Sequence, residues 1–322
     1  MLKPVIPVFY AADDNYMPYL AVALTSLKKN KTEDYEYRIH VLYAGELSEA
    51  AQKVKSMEED NFHIYFEDVE SKMRAIQDCT YCRDYYTSAI FYRLMIPEMF
   101  PDYDKVLYMD CDTVALADVA KLYTIDIGNN FIGAAADQAV AAVPAFRAYT
   151  KYALNIAPHR YFNSGVIVMN LKKLREIGFY GKFCEVLRSY EFIIAPDQDV
   201  LNLLCKDRVY YYGGEWNQMP IGGKGNPKLI HYNLTMKPWH YTDVLYQEYF
   251  WRFAEKTEFL ADIKKALASF TPEMAKRDEE SSKKLIALAQ QEAENPRNYI
   301  RSQKMKAAPW ESNRYGLVES FS

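Results

Sequence analysis

Residues 4–10 form a short apolar run that ends in the polar cluster Asp13-Asp14-Asn15, after which Met17, Leu20, Leu24 and Leu27 recur at helical spacing. That pattern predicts a buried strand, a loop and an amphipathic helix. Tyr37, Ile39, Val41 and Tyr43 fall on every second position, the period of a strand. Residues 48–60 read as a helix, 62–66 as a strand, 89–99 as a helix and 105–109 as a compact buried strand. Further on, 131–136 and 162–170 read as strands, 171–190 and 197–206 as helices, and 228–232 as one more short strand. Strands alternating with helices predict an α/β fold whose mainly parallel sheet is covered on both faces. In such sheets ligands bind beyond the carboxyl ends of the strands, so polar residues just past a strand are the first candidates for chemistry.

The pattern changes beyond Glu255, where charge-mixed, alanine-containing stretches such as 279–294 predict solvent-facing helices and 304–322 has no clear period. This divides the chain into a main unit, 1–250, and a helical or irregular extension, 251–322. No internal repeat is visible. Among 322 residues, 39 Lys and Arg face 43 Asp and Glu, so no polyanion-binding field and no nucleic-acid partner are expected. The N-terminus lacks the pattern of an export signal, and no window approaches the roughly 18 apolar residues of a membrane helix. Five cysteines form no disulfide framework, which fits a reducing cytoplasm. Cys79 and Cys82 form a C-x-x-C pair with no second pair at zinc spacing, and are read as surface thiols.

The strongest chemical signal is K-V-L-Y-M-D-C-D-T-V, in which a buried strand delivers Asp110 and Asp112 to its carboxyl end. Side chains two apart on an extended segment point together, so two carboxylates can share a hard cation such as Mn²⁺ or Mg²⁺. Asp102/Asp104 and Asp197/Asp199 repeat the bare spacing, so placement after the strand is what distinguishes the first pair. Turn-forming aspartates are the competing reading. His231 ends a second strand-like run in K-L-I-H-Y-N-L-T-M-K-P-W-H. It could complete a two-Asp, one-His metal site, with Lys237 neutralising a diphosphate.

In chain order these strings are A-A-D-D-N-Y at 11–16, Y-R-L at 92–94, Y-M-D-C-D at 108–112, F-N-S-G-V at 162–166, D-Q-D at 197–199 and H-Y-x-x-x-x-K-P-W at 231–239. Over residues 4–240 the chain resembles the retaining glycosyltransferases of family 8, which include bacterial lipopolysaccharide galactosyl- and glucosyltransferases and glycogenin. The resemblance implies a GT-A fold over 1–250, a UDP-galactose or UDP-glucose donor, a glycan, glycolipid or glycoprotein acceptor, and Mn²⁺, with Mg²⁺ as the alternative ion. By that resemblance Asp110, Asp112 and His231 hold the metal and Lys237 the diphosphate. Ala11, Asp13, Asn15 and Tyr16 hold the nucleoside, with Tyr16 stacked on the base. Arg93, Asn163, Asp197 and Gln198 surround the transferred sugar, Arg93, Asp197 and Gln198 being the catalytic group, and Asp137 lies on the acceptor side.

Two mechanisms are compatible with retention. A double displacement needs a nucleophile, Asp197 or the amide oxygen of Gln198, whereas a front-face substitution lets the departing UDP accept the proton; the second is preferred. Leu234 stands where many relatives carry glycine, so the phosphate loop is expected to differ locally. Two alternatives stay open at this point: a metal-dependent phosphoesterase, and a nucleotide-sugar-binding module without catalysis. Residues 251–322 are expected to serve as a packing or oligomerisation element, with peripheral contact at the inner membrane face as the alternative.

Overall fold

The computed structural model describes residues 3–74 and 88–307; Cys79 and Cys82 lie outside the described residues. The first half runs β1 (Val5–Ala11), a 3-10 turn at Asp14–Tyr16, α1 (Met17–Asn30), β2 (Glu36–Tyr43), α2 (Glu49–Lys55), β3 (Phe62–Asp68) and α3 (Glu70–Arg74). A 3-10 helix, Ser88–Met95, leads into α4 (Ile96–Met99), β4 (Lys105–Met109), β5 (Thr113–Ala115), α5 (Ala120–Tyr123) and β6 (Ile132–Ala136). Then come α6 (Gln138–Ala142), α7 (Pro144–Tyr152), β7 (Phe162–Asn170), α8 (Leu171–Glu176), α9 (Phe179–Ser189), α10 (Pro196–Cys205), β8 (Val209–Tyr211) and β9 (Leu229–His231). The chain closes with α11 (Gln247–Ala254), α12 (Leu260–Ser269), α13 (Pro272–Glu294) and α14 (Tyr299–Ala307).

Seven strands form one sheet in the order β3-β2-β1-β4-β7-β6-β8. The pairs β1–β2, β2–β3, β1–β4 and β6–β8 are parallel, whereas β7 runs antiparallel to both its neighbours. Strand alternation divides the core between the two faces. Val8, Tyr10, Leu107, Met109, Val166 and Val168 pack on the α1 side, while Phe9, Val106, Tyr108, Ile167 and Met169 pack on the other. The chain leaves β1 for β2 and β3 and returns to β4 on the other side, so a crevice opens at the carboxyl ends of β1 and β4.

Several elements differ from the expected ones, each for a local reason. The segment 89–99 is 3-10 through Met95, and Pro97, which has no N–H to donate, starts a separate single turn. The helix expected over 171–190 is broken at Gly178, whose φ of 64° is left-handed. The helix expected over 48–60 is capped by Ser48 and stops at Lys55. Strands β5 and β8 are three residues each, too short to carry a visible period.

The C-terminal extension packs on the main unit. Helices α11 and α12 cover α1, and α13 lies along α7, with Ala289 fully buried beside Phe146 and Tyr149. Among the described residues no helix is long and apolar enough to cross a membrane.

Candidate active site

Strand β4 ends at Met109, and the chain turns at once: Thr113 Oγ1 donates to the Asp110 carbonyl at 2.8 Å, closing a turn across Cys111 and Asp112. The two carboxylates therefore converge through a turn, and not through strand alternation as the spacing alone implied. Two backbone pairings deliver the third group. Antiparallel β5–β9 sets Thr113 opposite His231, with Tyr232 N donating to the Asp112 carbonyl at 2.9 Å. Beside them Asp110 N donates to the Gly165 carbonyl at 2.7 Å, an extension of the β4–β7 ladder.

The result is a cluster in which one ligand atom from each of Asp110, Asp112 and His231 lies within 4.8 Å of the others. His231 Nε2 stands 3.1 Å from Asp112 Oδ1 and 3.6 Å from Asp110 Oδ2. Its orientation can be derived from a backbone amide. Gly165 N donates to Asn163 Oδ1 at 3.0 Å, which fixes that atom as the oxygen, and Asn217 Nδ2 donates to the same oxygen at 2.9 Å. Asn217 Oδ1 then faces His231 Nδ1 at 2.9 Å, so Nδ1 carries the proton. In the neutral ring Nε2 is left with a lone pair aimed at two carboxylates. Asp112 Oδ1 is buried and accepts no hydrogen bond. Three electron pairs meeting without a donor among them make a candidate cation site, and this donor set suits Mn²⁺ or Mg²⁺.

Charge around the cluster is held by two buried cations. Arg93 pairs with Asp110 at 2.8 Å and with Asp197 at 3.2 Å, donates to the Ser164 carbonyl at 2.8 Å, and lies over the Tyr108 ring at 4.5 Å. Burial opposes its charge, but the two carboxylates outweigh that and hold it protonated. Lys237 pairs with Asp112 Oδ2 and also donates to the Tyr232 carbonyl. An ammonium has three N–H groups, so one remains for a ligand in the cleft that Lys237 lines. Burial would raise the Asp112 carboxyl, yet the Lys237 ammonium keeps it well below the usual carboxylate range.

The sugar-side residues form one connected network. Asp137 caps α6 through Oδ1, and its Oδ2 accepts from Asn163 Nδ2 and Gln198 Nε2, each at 3.1 Å. Gln198 Oε1 accepts from Ser164 N at 2.9 Å and from Asn163 Nδ2 at 3.1 Å. Burial raises the Asp197 carboxyl, which Arg93 and Ser164 Oγ partly offset.

All of these groups line one open cleft of about 420 Å³. It is also lined by Ala11, Asp13 and Tyr16, with Asp13 Oδ1 capping the 3-10 turn at Tyr16 N. Asn15 is exposed and is not among the residues that line the cleft, so it is set apart from the group predicted around the nucleoside. Sequence reasoning missed Asn217, Ser164 and the steric role of Gly165. Asn217 sits in an irregular stretch before β9, where nothing local marks it as the partner of a histidine.

Two features carry stability predictions. Leu234, 40% exposed, adopts a left-handed φ of 56° despite its side chain. For a non-glycine residue this costs about 1–2 kcal/mol, against about 0.5–1 kcal/mol of extra unfolded-state entropy for glycine. Leu234→Gly should therefore raise the melting temperature by about 1–3 °C in a thermal scan. Asp199 is fully buried and accepts from Tyr161 OH at 2.6 Å and Tyr149 OH at 2.8 Å. Burial pushes its carboxyl up to about 7 even though both phenols favour ionisation. Because the folded value lies above the unfolded one, its stabilising contribution is full below about pH 4 and is lost as pH rises toward 7. Asp199→Asn should remove a decline of a few kcal/mol over that window, read as the wild-type minus variant difference in urea unfolding.

Residues 7–243 match the model of the family described as glycosyl transferase family 8. The chain is 26% identical over 267 residues to the general stress protein A of Bacillus subtilis, covering 73% of this chain and 88% of that one. It is also 26% identical over 253 residues to the lipopolysaccharide 1,2-glucosyltransferase of Escherichia coli, covering 72% of each. The galactosyltransferase LgtC, solved with donor and acceptor sugar analogs, superposes with a TM-score of 0.67 at 29% identity, over 79% of this chain and 96% of that one. The fold is that of this GT-A neighbour, and with the family model matching most of its length the chain belongs to glycosyl transferase family 8.

Proposed function

We propose that the protein transfers galactose or glucose from UDP-hexose to a sugar hydroxyl with retention of configuration, assisted by Mn²⁺ or Mg²⁺. The observation that carries this reading is the convergence of Asp110, Asp112 and His231 in one cleft that Asp13, Tyr16, Asp137 and Gln198 also line. Asp13 and Tyr16 hold the uridine, Lys237 faces the diphosphate, and Arg93, Asn163 and Asp197 orient the hexose. A divalent cation on the three ligands supplies Lewis-acid stabilisation of the departing diphosphate. Residues 1–250 form the catalytic unit in this reading, and 251–322 the extension.

In the transfer the bond from the anomeric carbon to the β-phosphate oxygen breaks and a bond to the acceptor oxygen forms on the same face. The acceptor's hydroxyl proton passes to the released phosphate oxygen. Gln198 Oε1 is engaged by Ser164 N and Asn163 Nδ2, and Asp197 Oδ2 is held by Arg93 and Ser164, so a double displacement would have to use Asp197 Oδ1.

Incubation with a panel of UDP-sugars and Mn²⁺ tests the reading. UDP release is expected from UDP-galactose or UDP-glucose, lost with a chelator and restored by Mn²⁺. Phosphate release from UDP lacking a sugar would instead indicate a phosphoesterase, and binding without turnover would indicate a module without catalysis. A hexosyl adduct trapped on Asp197 or Gln198 and seen by mass spectrometry would replace the front-face course.

A further inference from the structure

Part of the cleft's lining, an apolar arm, differs in character from the polar groups described above. Its wall is built by Val140 of α6, Val143 between α6 and α7, Phe146 of α7, Ile194 before α10, and Leu285 and Ile286 from α13. The charged groups of the cleft are Asp13, Arg93, Asp110, Asp112, Asp137, Asp197, His231 and Lys237, none of them on α7 or α13. The polar atoms offered by those two helices are the hydroxyls of Tyr149, Thr150, Ser281 and Ser282, and that of Tyr149 is directed into Asp199. On α13 itself Lys283 and Lys284, which stand between Ser282 and Leu285, are exposed and do not line the cleft.

The helix that supplies this wall is held at several points. Tyr241 OH, two residues past Trp239, donates to Asp278 at 2.9 Å. Tyr190 donates to Glu292, and Ala289 is buried on α7. The wall is therefore a fixed surface. It also leaves apolar groups uncovered, since Ile286 is 40% exposed. An apolar surface kept open, continuous with a reaction centre and free of charge, suits an apolar group carried by the substrate.

We propose that this arm selects acceptors whose receiving sugar bears an uncharged, apolar aglycone, with Leu285 and Ile286 of α13 as specificity-determining residues. The inference rests on the transferase reading and deepens it by assigning the acceptor class and a role to the C-terminal extension. Hydrocarbon seated against two aliphatic side chains leaves water, while a charged aglycone has no partner there and loses its hydration.

The test uses the full chain with Mn²⁺ and its UDP-hexose, and three acceptors that share one sugar: the methyl, octyl and 5-carboxypentyl glycosides. The octyl glycoside should exceed the methyl glycoside in kcat/KM by about tenfold, mainly through KM, and the carboxylate should lose that advantage. Ile286→Ser, at an exposed position where folding is not at stake, should reduce the octyl-to-methyl ratio by about threefold or more, and Leu285→Ser likewise. A wild-type ratio near one, a preference for the carboxylate, or a ratio that survives both substitutions overturns the proposal. UDP release without acceptor is recorded alongside. If it occurs and octyl has no advantage, only this inference falls; if no UDP-sugar turns over at all, the transferase reading and this inference fall together.

Discussion

Asp112→Asn should lower Mn²⁺-dependent transfer by at least about 10³-fold, because it removes one of the two anionic ligands from the cluster. The same change should also weaken the fold. Lys237, 3% exposed, would keep the Tyr232 carbonyl and a neutral amide oxygen but no counter-charge, and a buried ammonium without its carboxylate costs about 3–5 kcal/mol. The neighbouring ligand separates the two effects. Asp110 is more open, with 24% of its side chain exposed, and Arg93 would retain Asp197, so Asp110→Asn should match the loss of activity at a smaller cost in stability. Steady-state kinetics and urea unfolding on both variants check this. Because the Asp112 carboxyl is held below its ordinary value, the stability it lends is present above about pH 4 and fades as pH falls further, a component that Asp112→Asn should lack.

Gly165→Ala is expected to damage the site from behind. A Cβ there would stand 2.1 Å from His231 Cε1 and 2.6 Å from Asp110 Oδ2, where nothing can overlap. His231 has little freedom to retreat, because Nδ1 is held by Asn217 and its backbone is paired in β9. Asp110 is likewise bound to Arg93 and to Tyr108 OH at 2.8 Å. We expect Mn²⁺ affinity to fall by at least tenfold and transfer by about 10²-fold or more, with about 1–3 kcal/mol of destabilisation from overpacking. Calorimetric titration of Mn²⁺ measures the first effect directly. Affinity within twofold of wild type would show that the ligands do not meet at this point.

Much of this was legible in the sequence because motifs are local. The buried run before Asp110, the strand ending at His231 and the clusters after β1 and at the start of α10 each announce themselves within about ten residues. What brings them together is not local. His231 reaches Asp112 through two strands of three residues each, too short for any periodic signal. The D-x-D geometry was inferred from strand alternation, whereas a turn closed by Thr113 produces it. Asn15 carried no mark separating it from its neighbours Asp13 and Tyr16, although the 3-10 turn leaves it exposed. The charged stretch near residue 280 read only as a solvent-facing helix. Its apolar positions Leu285 and Ala289 are four apart, and only packing on α7 shows that they face the cleft and the core.

The central claim is that two carboxylates and one imidazole nitrogen share a divalent cation. Diffraction at the manganese edge from crystals grown with Mn²⁺ and UDP tests it most directly. The expected map has an anomalous peak within bonding distance of Asp110, Asp112 and His231 Nε2, with His231 Nδ1 still facing Asn217. A map with no such peak, or with Mn²⁺ bound elsewhere and an imidazolium bridging the two aspartates, would contradict it.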